Sequence, residues 1–193
     1  MPRTSASLPP LCLVVMGVSG VGKTSVAHAL VARTGWAFQE GDELHPESNR
    51  AKMAAGHPLD DDDRRPWLRR IADWIGEREV AGEGGVVTCS ALKRAYRELL
   101  RDGHPSVRFV YLVADEDVLT SRVAHRHHDY MPPSLLRSQL DTLQPLEADE
   151  PGVRVETHGD PDAVADRALA ALAAAERVER PSPPSLAWPA EQA

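Results

Sequence analysis

The sequence predicts an α/β fold, in which a parallel β-sheet is covered by helices on both faces. Short apolar runs alternate along the chain with segments of helical periodicity, and this alternation is typical of a parallel sheet. A glycine-rich segment, residues 17–24, joins the first apolar run to the first helical segment. The length of 193 residues suits one domain with a single sizeable core.

The pattern of apolar residues places the individual elements. The strands are expected near residues 11–16, 36–40, 85–90, 107–113 and 153–157. The helices are expected near residues 22–33, 46–55, 65–79, 92–101, 115–127, 133–143 and 160–178. Pro66, which follows a run of four aspartates, marks the start of the third helix. One domain is expected over 11–178, between disordered tails at 1–10 and, rich in proline, at 179–193.

Composition narrows the class of function. The formal net charge is −7 and no basic patch stands out, so a nucleic-acid partner is not expected. The longest apolar stretch is far too short to span a membrane. Cys12 and Cys89 both fall inside predicted strands, which favours buried free thiols in a reducing compartment. These observations together predict a cytoplasmic protein.

The glycine-rich segment has the form G-x-x-x-x-G-K-[ST], the loop that binds the phosphates of nucleoside triphosphates. Its glycines let the backbone fold into a nest of N–H groups. Lys23 would place a positive charge on the β- and γ-phosphates, and the Thr24 hydroxyl can ligate Mg²⁺. The helix that follows adds the favourable field of its N-terminus. The predicted nucleotide-binding residues are Gly17, Val18, Ser19, Gly20, Val21, Gly22, Lys23 and Thr24.

The second strand is followed by G-D-E-L-H-P, at the edge where ligands of parallel sheets collect. Asp42 is interpreted as a carboxylate that takes the proton of an acceptor hydroxyl or orients it, and the alternative is a helix cap. His45 is a candidate substrate contact, with a structural histidine as the alternative. Arg50, on the next helix, could face a negatively charged substrate or simply be solvated.

The third strand is followed by Ser90, Lys93 and Arg97, which are expected to face the same crevice. Either Lys93 or Arg97 could clamp an anionic substrate. No aspartate ends this strand, so the second carboxylate that holds Mg²⁺ in many ATPases is missing there. The ion is therefore expected to rest on Thr24, phosphates and water, with Asp42 able to reach it through a water molecule.

Arg122 and Arg126 lie four residues apart, on one face of the helix after the fourth strand. A polar break that ends in two prolines follows at 127–133. This arrangement predicts a helical lid over about 122–143, whose closure would bring cations over the transferred phosphoryl group and exclude water. The alternative is a surface helix with two ordinary arginines.

Taken together, these segments resemble the gluconokinases, small ATP-dependent kinases that phosphorylate gluconate. The resemblance covers about residues 15–155. The phosphate loop by itself indicates only a superfamily, whereas three further blocks in this order are specific. They are G-D-x-x-H-P at 41–46, D-D-D-R-x-P-W-L at 61–68 and C-S-A-L-K-x-x-Y-R at 89–97.

Two positions depart from the pattern of the gluconokinases. Asp129-Tyr130 stands where the family usually has His-Phe before the Met-Pro of the lid, and Gln144 stands where it usually has a glutamate. The first departure leaves open whether His127 or His128 replaces the missing histidine or whether the step needs none.

The resemblance implies a P-loop, nucleoside-kinase-like three-layer fold with a five-stranded parallel sheet. It implies transfer of the γ-phosphoryl of ATP to the 6-hydroxyl of D-gluconate with Mg²⁺ as the metal, which would feed gluconate into the pentose phosphate pathway, and it is consistent with a homodimer. Lys23 and the two lid arginines would stabilise charge during transfer, and Asp42 would be the base or orienter. The gluconate carboxylate would pair with Arg50, Lys93 or Arg97.

Three other functions compete with this interpretation. A shikimate kinase would share the chemistry and differ in the acceptor, but the substrate-side blocks argue against it. A GTP-dependent switch needs N-K-x-D for guanine, whereas the single asparagine, Asn49, is followed by Arg50. A nucleic-acid end kinase is disfavoured by the net charge of −7.

Overall fold

The computed structural model describes residues 8–124 and 133–179, and within them five strands form a single sheet. The strands are β1 Cys12–Met16, β2 Ala37–Gln39, β3 Gly85–Thr88, β4 Val107–Val113 and β5 Gly152–Glu156. Their order across the sheet is β2-β3-β1-β4-β5, and every neighbouring pair is parallel. The predicted five-stranded parallel sheet is confirmed.

Seven α-helices and one 3₁₀ turn lie among the described residues. The helices are α1 Lys23–Thr34, α2 Glu47–Ala54, α3 Asp61–Ala81, α4 Arg94–Arg101, α5 Glu116–Ala124, α6 Pro133–Thr142 and α7 Pro161–Glu179. The 3₁₀ turn, Gly41–Leu44, directly follows β2. Each predicted helix is therefore present, with shifts at some ends.

The central strand β1 shows why helices cover both faces of the sheet. Its side chains alternate between two separate buried clusters, because successive residues of a strand point to opposite faces. One cluster contains Leu13 and Val15 together with α1 and α7, and the other contains Val14 and Met16 together with α3 and α4. The result is the predicted three-layer arrangement, with the sheet between two layers of helices.

Two helices, α3 and α4, begin two or more residues away from the predicted positions. Asp60 and Asp63 form a capping box, in which each side chain accepts a hydrogen bond of 2.9 Å from the other residue's backbone N–H, so α3 begins at Asp61. Pro66 consequently lies inside the helix rather than at its start. Conversely, α4 begins only at Arg94, because Ala91 has a left-handed backbone with φ of 43° and Lys93, directly before the helix, is extended.

Several predictions fall wholly or partly outside the described residues. The predicted tails, 1–10 and 179–193, lie almost entirely there, as does the part of the predicted lid at 125–132. Within the described ranges, no helix combines the length and the apolar character needed to cross a membrane. Cys12 and Cys89 are both buried and free, as the sequence predicts.

Candidate active site

The glycine-rich segment forms a tight loop between β1 and α1, at the centre of the sheet. Gly17, Gly20 and Gly22 have φ of 136°, 81° and 99°, a backbone region that other residues rarely adopt. A Cβ on Gly17 would lie 2.7 Å from the carbonyl oxygen of Leu112, so even alanine would not fit. The loop therefore has the nest geometry that suits phosphate oxygens, and this geometry fits a nucleoside triphosphate.

Two cations lie on this loop. The Nζ of Lys23 donates hydrogen bonds to the carbonyl oxygens of Gly17 at 3.2 Å and Val18 at 3.1 Å, which folds the lysine back over the loop. The guanidinium of Arg122, from α5, donates to the carbonyl oxygen of Val21 at 3.5 Å. Arg122 thus lies next to the loop, where the lid prediction placed it, while Arg126 lies outside the described residues.

Glu40, at the end of β2, is a site residue that the sequence prediction omits. Its carboxylate accepts a hydrogen bond from the Thr24 hydroxyl at 2.8 Å and another from the Thr88 hydroxyl. Thr24 and Glu40 together offer the hard oxygen ligands that Mg²⁺ prefers, so the donor set fits this ion. The sequence prediction lets Asp42 reach the ion through a water molecule, whereas the carboxylate that contacts Thr24 in the structure is that of Glu40. The rule that strand ends line the site could have found it, since Glu40 follows β2 directly.

Asp42 has the exposure expected of a group that meets a substrate. Its side chain is 83% exposed, and its nearest charged or ring neighbour is the Nε2 of His45 at 4.0 Å, which is too far for a hydrogen bond. The Asn49 amide donates to the carbonyl oxygen of Asp63 at 2.7 Å and contacts the Nδ1 of His45 at 3.3 Å. Because that amide nitrogen is a donor, Nδ1 must accept, and the ring proton sits on Nε2, facing Asp42.

His45 itself is a buried, neutral residue. It is only 4% exposed and stacks on the Trp67 ring, with 4.2 Å between ring centroids. Burial, and to a smaller extent the positive charges of Arg64 and Arg50, lower the pKa of His45 to about 4. At neutral pH its 4.0 Å approach to Asp42 is therefore not an ion pair. Any substrate contact by His45 could involve only Nε2.

The structure places the three predicted carboxylate-binding cations in different situations. Arg50 is exposed and donates to the carbonyl oxygen of Glu43 at 3.3 Å. The Nζ of Lys93 contacts both carboxylate oxygens of Asp61, at 2.7 and 2.8 Å. Both side chains lie near the crevice, but each is already held by a neighbour.

Arg97 is not placed to bind a substrate, and the prediction that it does is wrong. Its side chain is fully buried and forms an ion pair with Glu150, with Nε at 2.6 Å and Nη2 at 2.7 Å from the carboxylate. The remaining N–H groups donate to the carbonyl oxygens of Ala91, Gln144 and Pro145. All five N–H donors of the guanidinium are used, so none is left for a substrate. Arg97 instead holds the loop after β3 against residues 144–150.

Two glutamines, Gln139 in α6 and Gln144 just after that helix, tie neighbouring segments to the site. The Gln139 side-chain oxygen accepts from the backbone N–H of Ser19, in the phosphate loop, at 2.7 Å. The Gln144 side-chain oxygen accepts from the backbone N–H of Arg94 at 2.6 Å, at the N-terminus of α4. A glutamate would offer the same acceptor, which explains why Gln144 is tolerated where the family pattern has glutamate. Ser90 contributes its carbonyl oxygen to the Gly17 N–H at 3.3 Å.

The charged groups of the crevice gather at the end of β3. Burial raises the pKa of the Cys89 thiol, and the charges of Asp42, Lys23 and Arg64 also act on this group. The charges of Asp42, Lys23 and Arg64 are therefore all within electrostatic range of the residue that follows β3. This arrangement can hold a phosphate chain on one side and an acceptor hydroxyl beside a carboxylate on the other.

A phosphate-binding loop at the centre of this sheet, with a lysine on the loop and a carboxylate across the crevice, defines a P-loop kinase. Residues 12–146 match the family model described as an AAA domain. The gluconokinase of Gluconobacter oxydans (strain 621H) is 49% identical over 167 residues, which are 86% of this chain and 94% of that protein. The chain belongs to the gluconokinase family.

Solved structures agree with this assignment. The crystal structure of a gluconokinase from Sinorhizobium meliloti 1021 matches with a TM-score of 0.78 and 45% identity, covering 88% of this chain and 96% of that one. An unliganded sugar kinase from Janibacter sp. HTCC2649 matches with a TM-score of 0.80 and 46% identity, covering 88% and 98%. These matches confirm the predicted three-layer kinase fold.

Proposed function

We propose that this protein transfers the γ-phosphoryl group of ATP to the 6-hydroxyl of D-gluconate, giving ADP and 6-phosphogluconate. The observation that carries the proposal is the family match over most of the chain, combined with a crevice in which Lys23 and Asp42 both act on the end of β3. We further expect a cytoplasmic enzyme that can form a homodimer, which light scattering of the purified protein would test.

On the nucleotide side, the backbone N–H groups of residues 17–24 would hold the phosphates. The ammonium of Lys23 would leave the carbonyl oxygens of Gly17 and Val18 and move to the β- and γ-phosphate oxygens. The Thr24 hydroxyl would bind Mg²⁺ directly. Glu40 would accept a hydrogen bond from that hydroxyl or from a water molecule on the ion. When bound, Mg²⁺ neutralises charge that develops on the phosphates. Arg122 would add a positive charge from the other side of the loop.

On the acceptor side, Asp42 would receive the proton of the 6-hydroxyl as its oxygen attacks the γ-phosphorus. The new bond joins the hydroxyl oxygen to phosphorus, and the bond to the β,γ-bridging oxygen breaks, so ADP leaves with that electron pair. The carboxylate of Asp42 is exposed and accepts no hydrogen bond from the described residues. It is therefore available to the hydroxyl of the acceptor. The Nε2–H of His45 faces the same carboxylate from the buried side.

A direct test is ADP release from Mg·ATP by the purified protein, with D-gluconate, shikimate and D-glucose assayed in parallel. We expect stimulation by D-gluconate alone, and phosphorus NMR of the product should show a phosphate ester at carbon 6. An assay without acceptor measures background hydrolysis. Stimulation by shikimate or D-glucose but not by D-gluconate would leave the kinase class intact and overturn the proposed acceptor.

A further inference from the structure

Arg64, in the second turn of α3, differs from the other cations around the crevice. Within the described residues its side chain takes part in no hydrogen bond or ion pair, although it is partly buried. The other cations of the crevice each contact a carbonyl or carboxylate oxygen: Lys23, Arg50, Lys93, Arg97 and Arg122. The charge of Arg64 acts on the nearby Asp61 carboxylate, but its guanidinium donates to no acceptor among the described residues, so its five N–H donors are available to an anionic ligand.

The neighbours of Arg64 along α3 fix where it lies. Three residues before it, Asp61 binds Lys93 and accepts from the Tyr96 hydroxyl, on the loop and helix after β3. Three residues after it, Trp67 donates to the carbonyl oxygen of Gly41 at 2.7 Å, next to Asp42. Residues three apart on a helix are neighbours on its surface. Arg64 therefore lies between the turn that carries Asp42 and the loop that carries Lys93.

The electrostatic environment agrees with this placement. The positive charge of Arg64 acts on the buried His45 ring and on the Cys89 thiol, to which the charges of Asp42 and Lys23 also extend. The charge of Arg64 is thus within electrostatic range of two buried groups that lie next to the crevice. The cations that contact the phosphate loop are instead Arg122 and Lys23, among the described residues.

We propose that Arg64 binds the carboxylate of the acceptor and thereby selects a sugar acid over an uncharged polyol. This inference rests on the proposed function and assigns the carboxylate to a residue other than Arg50, Lys93 or Arg97. The guanidinium offers two parallel N–H groups that match the two oxygens of a carboxylate. With the acceptor chain held at one end by Arg64, its terminal hydroxyl lies towards Asp42 and the phosphate loop.

The test compares the wild-type enzyme with Arg64→Gln and Arg64→Lys in steady-state assays. D-Glucitol, which carries an alcohol in place of the carboxylate, serves as an uncharged competitor. We expect Arg64→Gln to raise the KM for D-gluconate by about 10- to 100-fold, the range of a charged hydrogen-bonded pair. The KM for ATP and the inhibition constant of D-glucitol should change less than about threefold. Added guanidinium should partly restore the Arg64→Ala variant.

Arg65→Gln is the matched control. Arg65 is the next residue of the same helix turn, but it is exposed and its nearest carboxylate is that of Asp62 at 3.9 Å, so its loss should leave all constants unchanged. An unchanged KM for D-gluconate in a folded Arg64→Gln enzyme would overturn the inference while leaving the proposed function standing. If Arg64→Gln does not fold, Arg64→Lys provides the test, because lysine keeps the charge but lacks the two parallel N–H groups of the guanidinium. An unchanged KM for D-gluconate in Arg64→Lys would likewise overturn the inference. Absence of gluconate-dependent activity in the wild type would instead refute the proposed function.

Discussion

The nucleotide side and the acceptor side of the crevice are built on different principles. The nucleotide side is one continuous segment, residues 17–24, in which backbone conformation creates the binding surface. The acceptor side collects side chains from the turn after β2, from α2, from α3 and from the loop after β3. The first depends on local sequence, whereas the second depends on which partner each charged side chain finds in the folded chain. Errors of prediction are therefore expected mainly on the acceptor side, where the wrong assignment of Arg97 as a substrate contact falls.

Removal of the Lys23 ammonium should have the largest effect, because this charge is expected to contact the phosphoryl group that is transferred. We expect Lys23→Met to lower kcat/KM by at least about 10³-fold, as the loss of a preorganised charge at the transferred group does in other enzymes. The coupled ADP-release assay measures this change, and a thermal melt checks that the variant is folded. Turnover within tenfold of the wild type would contradict the assignment of the phosphate loop.

Asp42 provides the corresponding test on the acceptor side. Asp42→Asn keeps the shape but cannot take a proton, so kcat should fall by about 10²- to 10⁴-fold while the KM for ATP stays nearly constant. Glu43→Gln is the control, since it neutralises the adjacent exposed carboxylate in the same turn. A near-normal kcat in Asp42→Asn would show that Asp42 does not accept the proton of the hydroxyl, and the acceptor side would then have no assigned catalytic group.

The sequence predicts the fold and the nucleotide side almost completely, because both follow from local patterns. Strand and helix alternation defines the sheet, and the motif fixes Gly17 to Thr24. The acceptor side is predicted only as a set of residue types. Nothing local to Arg97 reveals that its partner is Glu150, 53 residues away. Likewise, the sequence places Arg64 inside the D-D-D-R block without showing that its side chain forms no hydrogen bond or ion pair with the residues that the structure describes.

Backbone detail outside the motif is also hard to predict. A capping box of two aspartates starts α3 four residues before the predicted position, and a left-handed alanine delays α4. Both features require knowledge of backbone dihedral angles. Glu40 could have been predicted, because the same argument that selects Asp42 applies to the residue at the end of β2.

Arg97 offers a way to separate bracing from substrate binding. Arg97→Met leaves the Glu150 carboxylate buried without its partner, so urea unfolding should show a loss of about 3–5 kcal/mol in the free energy of unfolding. The double variant Arg97→Met/Glu150→Met should recover much of this loss, because no buried charge remains. A stable Arg97→Met enzyme with a raised KM for D-gluconate would instead revive the role of Arg97 as a substrate clamp.

The smallest expected effect concerns the buried His45 on the acceptor side, and it depends on pH. The pKa of His45 is lowered from 6.5 to about 4 in the folded protein, so between these values the unfolded chain binds a proton that the folded chain does not. The contribution of neutral His45 to the free energy of unfolding should therefore be fully present above pH 6.5. As the pH falls towards 4, the free energy of unfolding should decrease by up to about 3 kcal/mol.

His45→Gln should flatten this part of the stability curve, whatever it does to stability at neutral pH. His57→Gln, which removes an exposed histidine, is the matched control substitution. The comparison is made by urea unfolding at several pH values between 4 and 7. Equal slopes for the wild type and His45→Gln would mean that His45 titrates normally. The Nε2–H that faces Asp42 would then belong to an imidazolium below about pH 6.5, and this imidazolium could pair with the carboxylate.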